Sequence, residues 1–197
     1  MSTSRKQDII LAGVGGQGIL SIAFVIDSAA LKEGFDVKQA EVHGMAQRGG
    51  AVQSHLRLSR DRIHSDLIPR GEADLILSVE PLEALRYLEF LRPGGKLVTS
   101  STPFVNIPDY PDMTSLIDEI RRIPGSLVVD SEALAKEAGT SKAQNTVMLG
   151  AAAASLIVSQ DGLREFLGVL FAPRGEKILE SNLKAFELGR RAALESR

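Results

Sequence analysis

The sequence predicts an α/β protein: a Rossmann-like, doubly wound and mainly parallel sheet with helices on both faces and a C-terminal helical segment. Three observations carry that prediction. Short apolar runs such as Ile9 to Ala12 and Ala73 to Val79 have the pattern of strands covered on both faces. Helical stripes alternate with these runs as far as Gly139, the order expected of parallel strands joined by crossover helices. Between the first strand and the first helix stands Gly13-Val14-Gly15-Gly16-Gln17-Gly18, a G-x-G-x-x-G placed where such folds make their anion-binding turn.

The elements follow in order. Asp8 to Gly13 is a buried strand, and Ile19 to Lys32 is a helix with its apolar stripe on Ile19, Ile22, Ala23, Ile26, Ala29 and Ala30 and a stop at Gly34. Phe35 to Val42 is the second strand. Ala51 to Leu58 alternates, with Val52, Ser54, Leu56 and Leu58 on one face and Gln53, His55 and Arg57 on the other, as in a half-buried strand. One antiparallel pair is expected around residues 51 to 66. Ala73 to Val79 is a strand, and Pro81 opens a helix striped by Leu82, Leu85, Leu88 and Leu91, closed by Arg92-Pro-Gly-Gly95. Then come a strand at Lys96 to Ser100, an amphipathic helix at Asp112 to Ile123, a strand at Ser126 to Asp130 and, capped by Ser131, a helix at Glu132 to Ala138. Beyond Gly139 the pattern is helix alone. A small-residue helix, Ala143 to Val158, is placed against the sheet, and a longer charged helix from about Pro173 on the outside. Residues 1–197 read as a single domain.

Composition narrows the function. The 197 residues contain no cysteine, which excludes disulfides, thiolate zinc sites, cysteine nucleophiles and cysteine-held iron–sulfur clusters on this chain. A formal charge of -2 gives no overall basic field, so neither nucleic acid nor a membrane is an expected partner. The longest apolar stretch, Met148 to Val158, is far shorter than the roughly 20 residues of a spanning helix, and a soluble cytoplasmic protein is expected.

The glycine motif is the leading candidate site. Gly13 allows the tight turn, Gly15 lets backbone approach a phosphate, Gly18 lets the helix pack on its strand, and helix N-terminal amides meet the anion. Asp36 and Glu41 are the candidates for the ribose-binding acid of a nicotinamide site, but Asp36 comes early and Glu41 runs into His43-Gly-Met-Ala-Gln-Arg-Gly-Gly50. Residues 42 to 70 hold Arg48, Arg57, Arg60, Arg62 and Arg70 against Asp61 and Asp66, so this stretch is basic on an acidic chain and suited to a polyanion or an acidic partner. His43, His55 and His64 lack metal-ligand spacing. No nucleophile elbow or Walker sequence is present, so the residues describe a binding surface without an evident catalyst. Asn145, at the start of the small-residue helix, either assists that start or faces the crevice; the former is expected. Pro173-Arg-Gly175 followed by Glu176 is open in the same way: it faces the crevice, or Gly175 only turns the chain before the terminal helix.

These motifs together resemble the gamma subunit or domain of the 2-oxoacid:ferredoxin oxidoreductases. The likeness rests on GVGGQG, on EVHGMAQRGG followed by QSHLRLS, on ADLILSVEPLEALR and on NTVMLGA, and it spans essentially the whole chain. HGMAQRGG makes it most similar to the small subunits of the indolepyruvate branch. The resemblance implies an accessory share in a larger enzyme, with the isolated chain inactive: thiamine diphosphate and iron–sulfur clusters sit on a large alpha subunit, and electrons leave to ferredoxin. It also implies coenzyme A as the bound cosubstrate. Gly13, Gly15, Gly16, Gln17 and Gly18 would meet its phosphates, while Arg48, Gly49 and Gly50, with His55 and Arg57 behind them, line the same crevice or the partner interface. The pyruvate type carries lysine after the glycines, whereas this chain has Ile19-Leu20-Ser21. Two other readings stay open: a free-standing NAD(P)-binding Rossmann oxidoreductase, and a purely structural assembly subunit whose turn touches no nucleotide.

Overall fold

The structure, a computed structural model, describes residues 5–43 and 49–196. A six-stranded sheet forms from β1 (Lys6–Val14), β2 (Asp36–His43), β3 (Ala51–Ser59), β4 (Ala73–Ser78), β5 (Leu91–Ser100) and β6 (Ser126–Val129), in the order β2-β3-β1-β4-β5-β6. The expected α/β architecture is observed. Successive residues of β1 serve opposite faces, which is why its apolar run is unbroken: Ile9 and Leu11 enter one core, Ile10 and Ala12 the other.

On the first face, α1 (Ile19–Lys32) is joined by α4 (Ser131–Glu137), α5 (Gln144–Ala152), α6 (Gln160–Phe171) and α7 (Glu176–Glu195). The second face carries α2 (Pro81–Arg86) and α3 (Met113–Arg121). Winding therefore switches between β1, whose helix crosses one face, and β4, whose helix crosses the other. Ligand-binding crevices open at the carboxyl ends of the strands flanking such a switch.

Several expectations are corrected. The antiparallel element is not a pair within 51–66: β3 runs antiparallel to both β1 and β2, so it lies inside the first strand, helix, strand unit. The helix after Pro81 stops at Arg86, and Arg92-Pro-Gly-Gly95 belongs to β5, not to a helix end. Its geometry explains this: a Cβ on Gly95 would lie 3.0 Å from the Ala73 carbonyl, so glycine lets β5 close onto β4 there. Asp130, not Ser131, caps α4, its carboxylate accepting from Ala133 N at 2.9 Å, while Ser131 is buried and bonded to Ser100. The apolar stretch after Ala143 ends as a helix by Ser155, and a separate α6 precedes the terminal helix.

The helix α5 is buried on nearly every side and α7 covers it. Their backbones meet through reciprocal glycines. A Cβ on Gly150 would stand 2.0 Å from the Phe186 carbonyl oxygen, and one on Gly189 would stand 1.9 Å from that of Val147. Among the described residues, no helix is long and apolar enough to cross a membrane.

Candidate functional site

The turn after β1 is built by three separate requirements. Gly13 closes the strand against its neighbour, since a Cβ there would lie 2.5 Å from Val79 Cγ2 and 2.9 Å from Ile19 Cδ1. Gly16 and Gly18 take φ of 104° and 80°, a region that favours glycine. Gln17 turns inward: its side-chain oxygen accepts from Val14 N at 2.7 Å, and its own amide donates to Val14 O at 3.1 Å. Gln17 thus shapes the turn with its side chain. Gly18 is crowded by α5, because its Cβ would lie 2.5 Å from Asn145 Nδ2, so the close approach expected between helix and strand is instead an approach to Asn145.

The result is a cluster of unpaired donors. Among the described residues, the amides of Gly16, Gly18, Ile19 and Leu20 have no protein acceptor. They stand at the positive end of α1, a ready anion site. A Cβ on Gly16 would meet nothing within 4 Å among the described residues.

Three loops frame the turn. The Gly49-Gly50 pair before β3 is stapled to it, with Gly15 N donating to Gly50 O at 2.8 Å and Gly49 N donating to Gly15 O at 3.3 Å. From the loop after β5, Asn106 Nδ2 donates to Gly49 O at 2.7 Å. That loop is anchored by Glu80, a buried carboxylate at the end of β4. Its oxygens accept from Phe104 N at 3.3 Å, from Glu83 N at 2.8 Å and from the Tyr110 hydroxyl. Burial, with Glu80 beside it, holds that hydroxyl firmly protonated. On the third side, Asn145 Nδ2 donates to Gly18 O at 3.3 Å while its oxygen accepts from Thr146 N at 2.9 Å. Asn145 therefore both assists its helix start and faces the crevice.

Hollows lie around Gly16. One, of about 510 Å³, runs toward Leu20, Glu41 and Val52. A second, of about 590 Å³, is bounded by α5 and α7 and carries Lys142, Arg174 and Lys177. A third, of about 470 Å³, is lined by Val79, Thr102 and Phe104 and again by Lys142. These are ordinary sizes for ligand pockets, roughly 300–1,000 Å³.

Of the sequence-predicted site, the structure brings together Gly13, Gly15, Gly16, Gln17, Gly18, Gly49 and Gly50. Arg48 lies outside the described residues. His55 and Arg57 are not at the turn, which corrects the expectation that they line the crevice. In register they oppose Ile10 and Asp8, three and five residues before Gly13 on β1. His55 is 3% exposed, accepts from Ile68 N at Nδ1 and meets the Phe90 ring edge-on. Burial and the neighbouring Arg57 cation hold its imidazole below the usual range, the neutral form that the acceptor role needs. Arg57 is bidentate on Asp8, at 2.8 and 3.1 Å, and caps the carbonyls of Ser65 and Leu67. These two side chains thus serve the Ile68 amide and the Ser65 and Leu67 carbonyls of the segment after β3. The rest of the basic stretch also disperses: Arg60 lies 3.7 Å over the Phe35 ring and Arg70 pairs with Glu89.

Sequence reasoning missed Lys142, Lys177 and Glu80 and left the segment of Arg174 open. The three cations come from two single-turn helices and the start of α7, with no common spacing to reveal them.

Comparison with known proteins adds the relationship. Residues 8–192 match the family described as pyruvate ferredoxin/flavodoxin oxidoreductase. The indolepyruvate oxidoreductase subunit IorB of Thermococcus kodakarensis is 36% identical, over 97% of this chain and 98% of that protein. The keto/oxoacid ferredoxin oxidoreductase gamma subunit of Geobacter sulfurreducens superposes with a TM-score of 0.71 at 25% identity, over 96% of this chain and 99% of that one. The 2-oxoglutarate:ferredoxin oxidoreductase of Magnetococcus marinus, solved with 2-oxoglutarate, coenzyme A and succinyl-CoA bound, has the same fold: TM-score 0.76 at 24% identity, over 98% of this chain but 32% of that one.

Proposed function

Because the chain belongs to the pyruvate ferredoxin/flavodoxin oxidoreductase family, we propose that it is the accessory subunit of a 2-oxoacid:ferredoxin oxidoreductase of the indolepyruvate or arylpyruvate type. In this reading it helps bind coenzyme A and completes the assembly. A large alpha subunit carries thiamine diphosphate and the iron–sulfur clusters and delivers electrons to ferredoxin. The observation that carries the reading is the set of unpaired amides at Gly16, Gly18, Ile19 and Leu20, opening onto hollows framed by Gly49 and Asn145. Backbone donors at a helix start recognise phosphate oxygens without moving a proton, so this chain's part is to bind and orient. Its 197 residues contain no cysteine to ligate a cluster.

Two measurements test it. Calorimetry on the complex with the large subunit should show coenzyme A binding that is lost when Gly16→Val places a side chain over the amides. Ferredoxin reduction by arylpyruvate should fall when the chain is withheld. Unchanged reduction by the large subunit alone would refute the accessory role. Glu41, beside the turn at the end of β2, favours a second reading as a dinucleotide-binding protein, since an acid there suits ribose hydroxyls. NADH binding tighter than coenzyme A in the same titration would select it.

A further inference from the structure

The hollows around Gly16 differ in charge. The one toward β2 has Glu41 as its charged side chain, next to apolar Leu20 and Val52. The one between α5 and α7 carries Lys142, Arg174 and Lys177, and no carboxylate lines it. None of the three cations is in an ion pair or donates a side-chain hydrogen bond to protein among the described residues; Arg174 rests 5.3 Å over the Phe171 ring.

That is unusual for this molecule. Another hollow with several cations, at the opposite end of β1, contains Lys6, Arg92 and Lys96. There Lys6 lies 3.2 Å from Asp8, Arg92 lies 2.6 Å from Asp74, and Lys96 donates to Ser155 Oγ. Cations held by neighbouring protein groups are satisfied without a ligand. Three unpaired cations converging on one cavity repel one another, and a bound anion relieves that repulsion.

Cationic wall and amide cluster are contiguous, because Gly16, Gln17 and Gly18 border the same cavity as Lys142, Arg174 and Lys177. One surface thus presents two anion-binding devices of different character. Backbone amides at a helix start suit the spread charge of a diphosphate. A group of lysines and an arginine suits a compact dianion, such as a terminal phosphomonoester. We propose that Lys142, Arg174 and Lys177 form the phosphomonoester subsite of this cavity, so that the carrier's phosphorylated end lies between α5 and α7, away from Glu41. The assignment rests on the reading that the turn holds coenzyme A. It places a cationic grip at the C-terminal helices, outside the arginine-rich 42–70 stretch.

The test is calorimetry on the complex with the large subunit, using coenzyme A and 3′-dephospho-coenzyme A, which differ by one phosphomonoester. The variants are Lys142→Gln, Arg174→Gln and Lys177→Gln, singly and together, with Lys38→Gln on β2 as a charge control and thermal melting as the check on folding. All three target side chains are exposed, so the variants should fold. In the parent complex coenzyme A should bind at least about tenfold more tightly than the dephospho form, the scale of one charge-assisted hydrogen bond. The triple variant should lose that preference while its affinity for the dephospho form changes little, and Lys38→Gln should keep it. A triple variant that retains the parent preference would overturn the subsite and leave coenzyme A binding at the turn standing. A parent complex that binds neither compound would remove both readings together.

Discussion

The two ends of β1 treat polar groups in opposite ways. At its start, Gln7 and Asp8 are buried and fully engaged: Gln7 Nε2 donates to Ser155 O at 2.6 Å and its oxygen accepts from Ile157 N at 2.8 Å, while Asp8 is gripped by Arg57 and Lys6. At its end, the amides of Gly16, Gly18, Ile19 and Leu20 have no protein acceptor among the described residues. One end fixes the position of the strand. The other leaves hydrogen-bonding capacity that no described residue of the chain takes up. The contrast locates function better than residue type does, since arginine, aspartate and glutamine at the first end carry more formal chemistry than glycines at the second.

Substitutions at the two ends put this contrast to the test. The largest effect is expected from Asp8→Ala at the engaged end. It strands Arg57, whose side chain is 17% exposed, and should lower unfolding stability by about 3–5 kcal/mol in urea titration. Ligand affinity measured where the variant remains folded should be unchanged; a parallel loss of coenzyme A binding would show that the two ends are not independent. Next comes Gly189→Ala, a glycine that serves packing. Its Cβ would sit 1.9 Å from a carbonyl oxygen, and a loss of about 3 kcal/mol is expected, the upper end of overpacking costs.

A third substitution concerns Asp27 on α1, whose Oδ1 is buried without a partner among the described residues and whose pKa burial raises from 3.8 to about 7. The native state keeps this proton over a pH range where the unfolded chain has released it. Stability should therefore fall as pH rises from about 4 to about 7. Asp27→Asn should flatten that slope and stabilise the protein at pH 8 by about 2 kcal/mol, below the ceiling that 1.36 kcal/mol per pKa unit allows, while changing little at pH 4. A variant that keeps the parent slope would assign it to another group. The smallest stability change is expected at the open end. Gly16→Ala meets no atom and should cost about 1–2 kcal/mol through its positive φ alone, yet it should weaken coenzyme A binding more than Asp8→Ala does. The reverse order would remove the distinction between the two ends.

Much of the fold was legible because burial on both faces leaves a continuous apolar signature. Helix α1 has the expected bounds, Ile19 to Lys32, and buries every residue of its stripe, with Val25 in addition. Where a glycine serves close approach instead of termination, the reading failed. Arg92-Pro-Gly-Gly95 looked like a stop and is the start of β5, with Gly95 set against Ala73. The site was legible in part for a related reason. Alternation along β3 tells which face His55 and Arg57 occupy but not their height along β1, and register placed them toward the engaged end. Lys142, Arg174 and Lys177 carry no periodic mark at all. They meet because helices distant in sequence cross at one place.

That crossing has a consequence for the cavity. At Gly150 and Gly189 two main chains touch with no side chain between them, a joint with no give. Lys142 precedes one arm of this joint and Lys177 opens the other. The aperture between them is thus set by a pair of hydrogen atoms at the hinge of a caliper, and a single methyl group there would spread its jaws without touching either lysine.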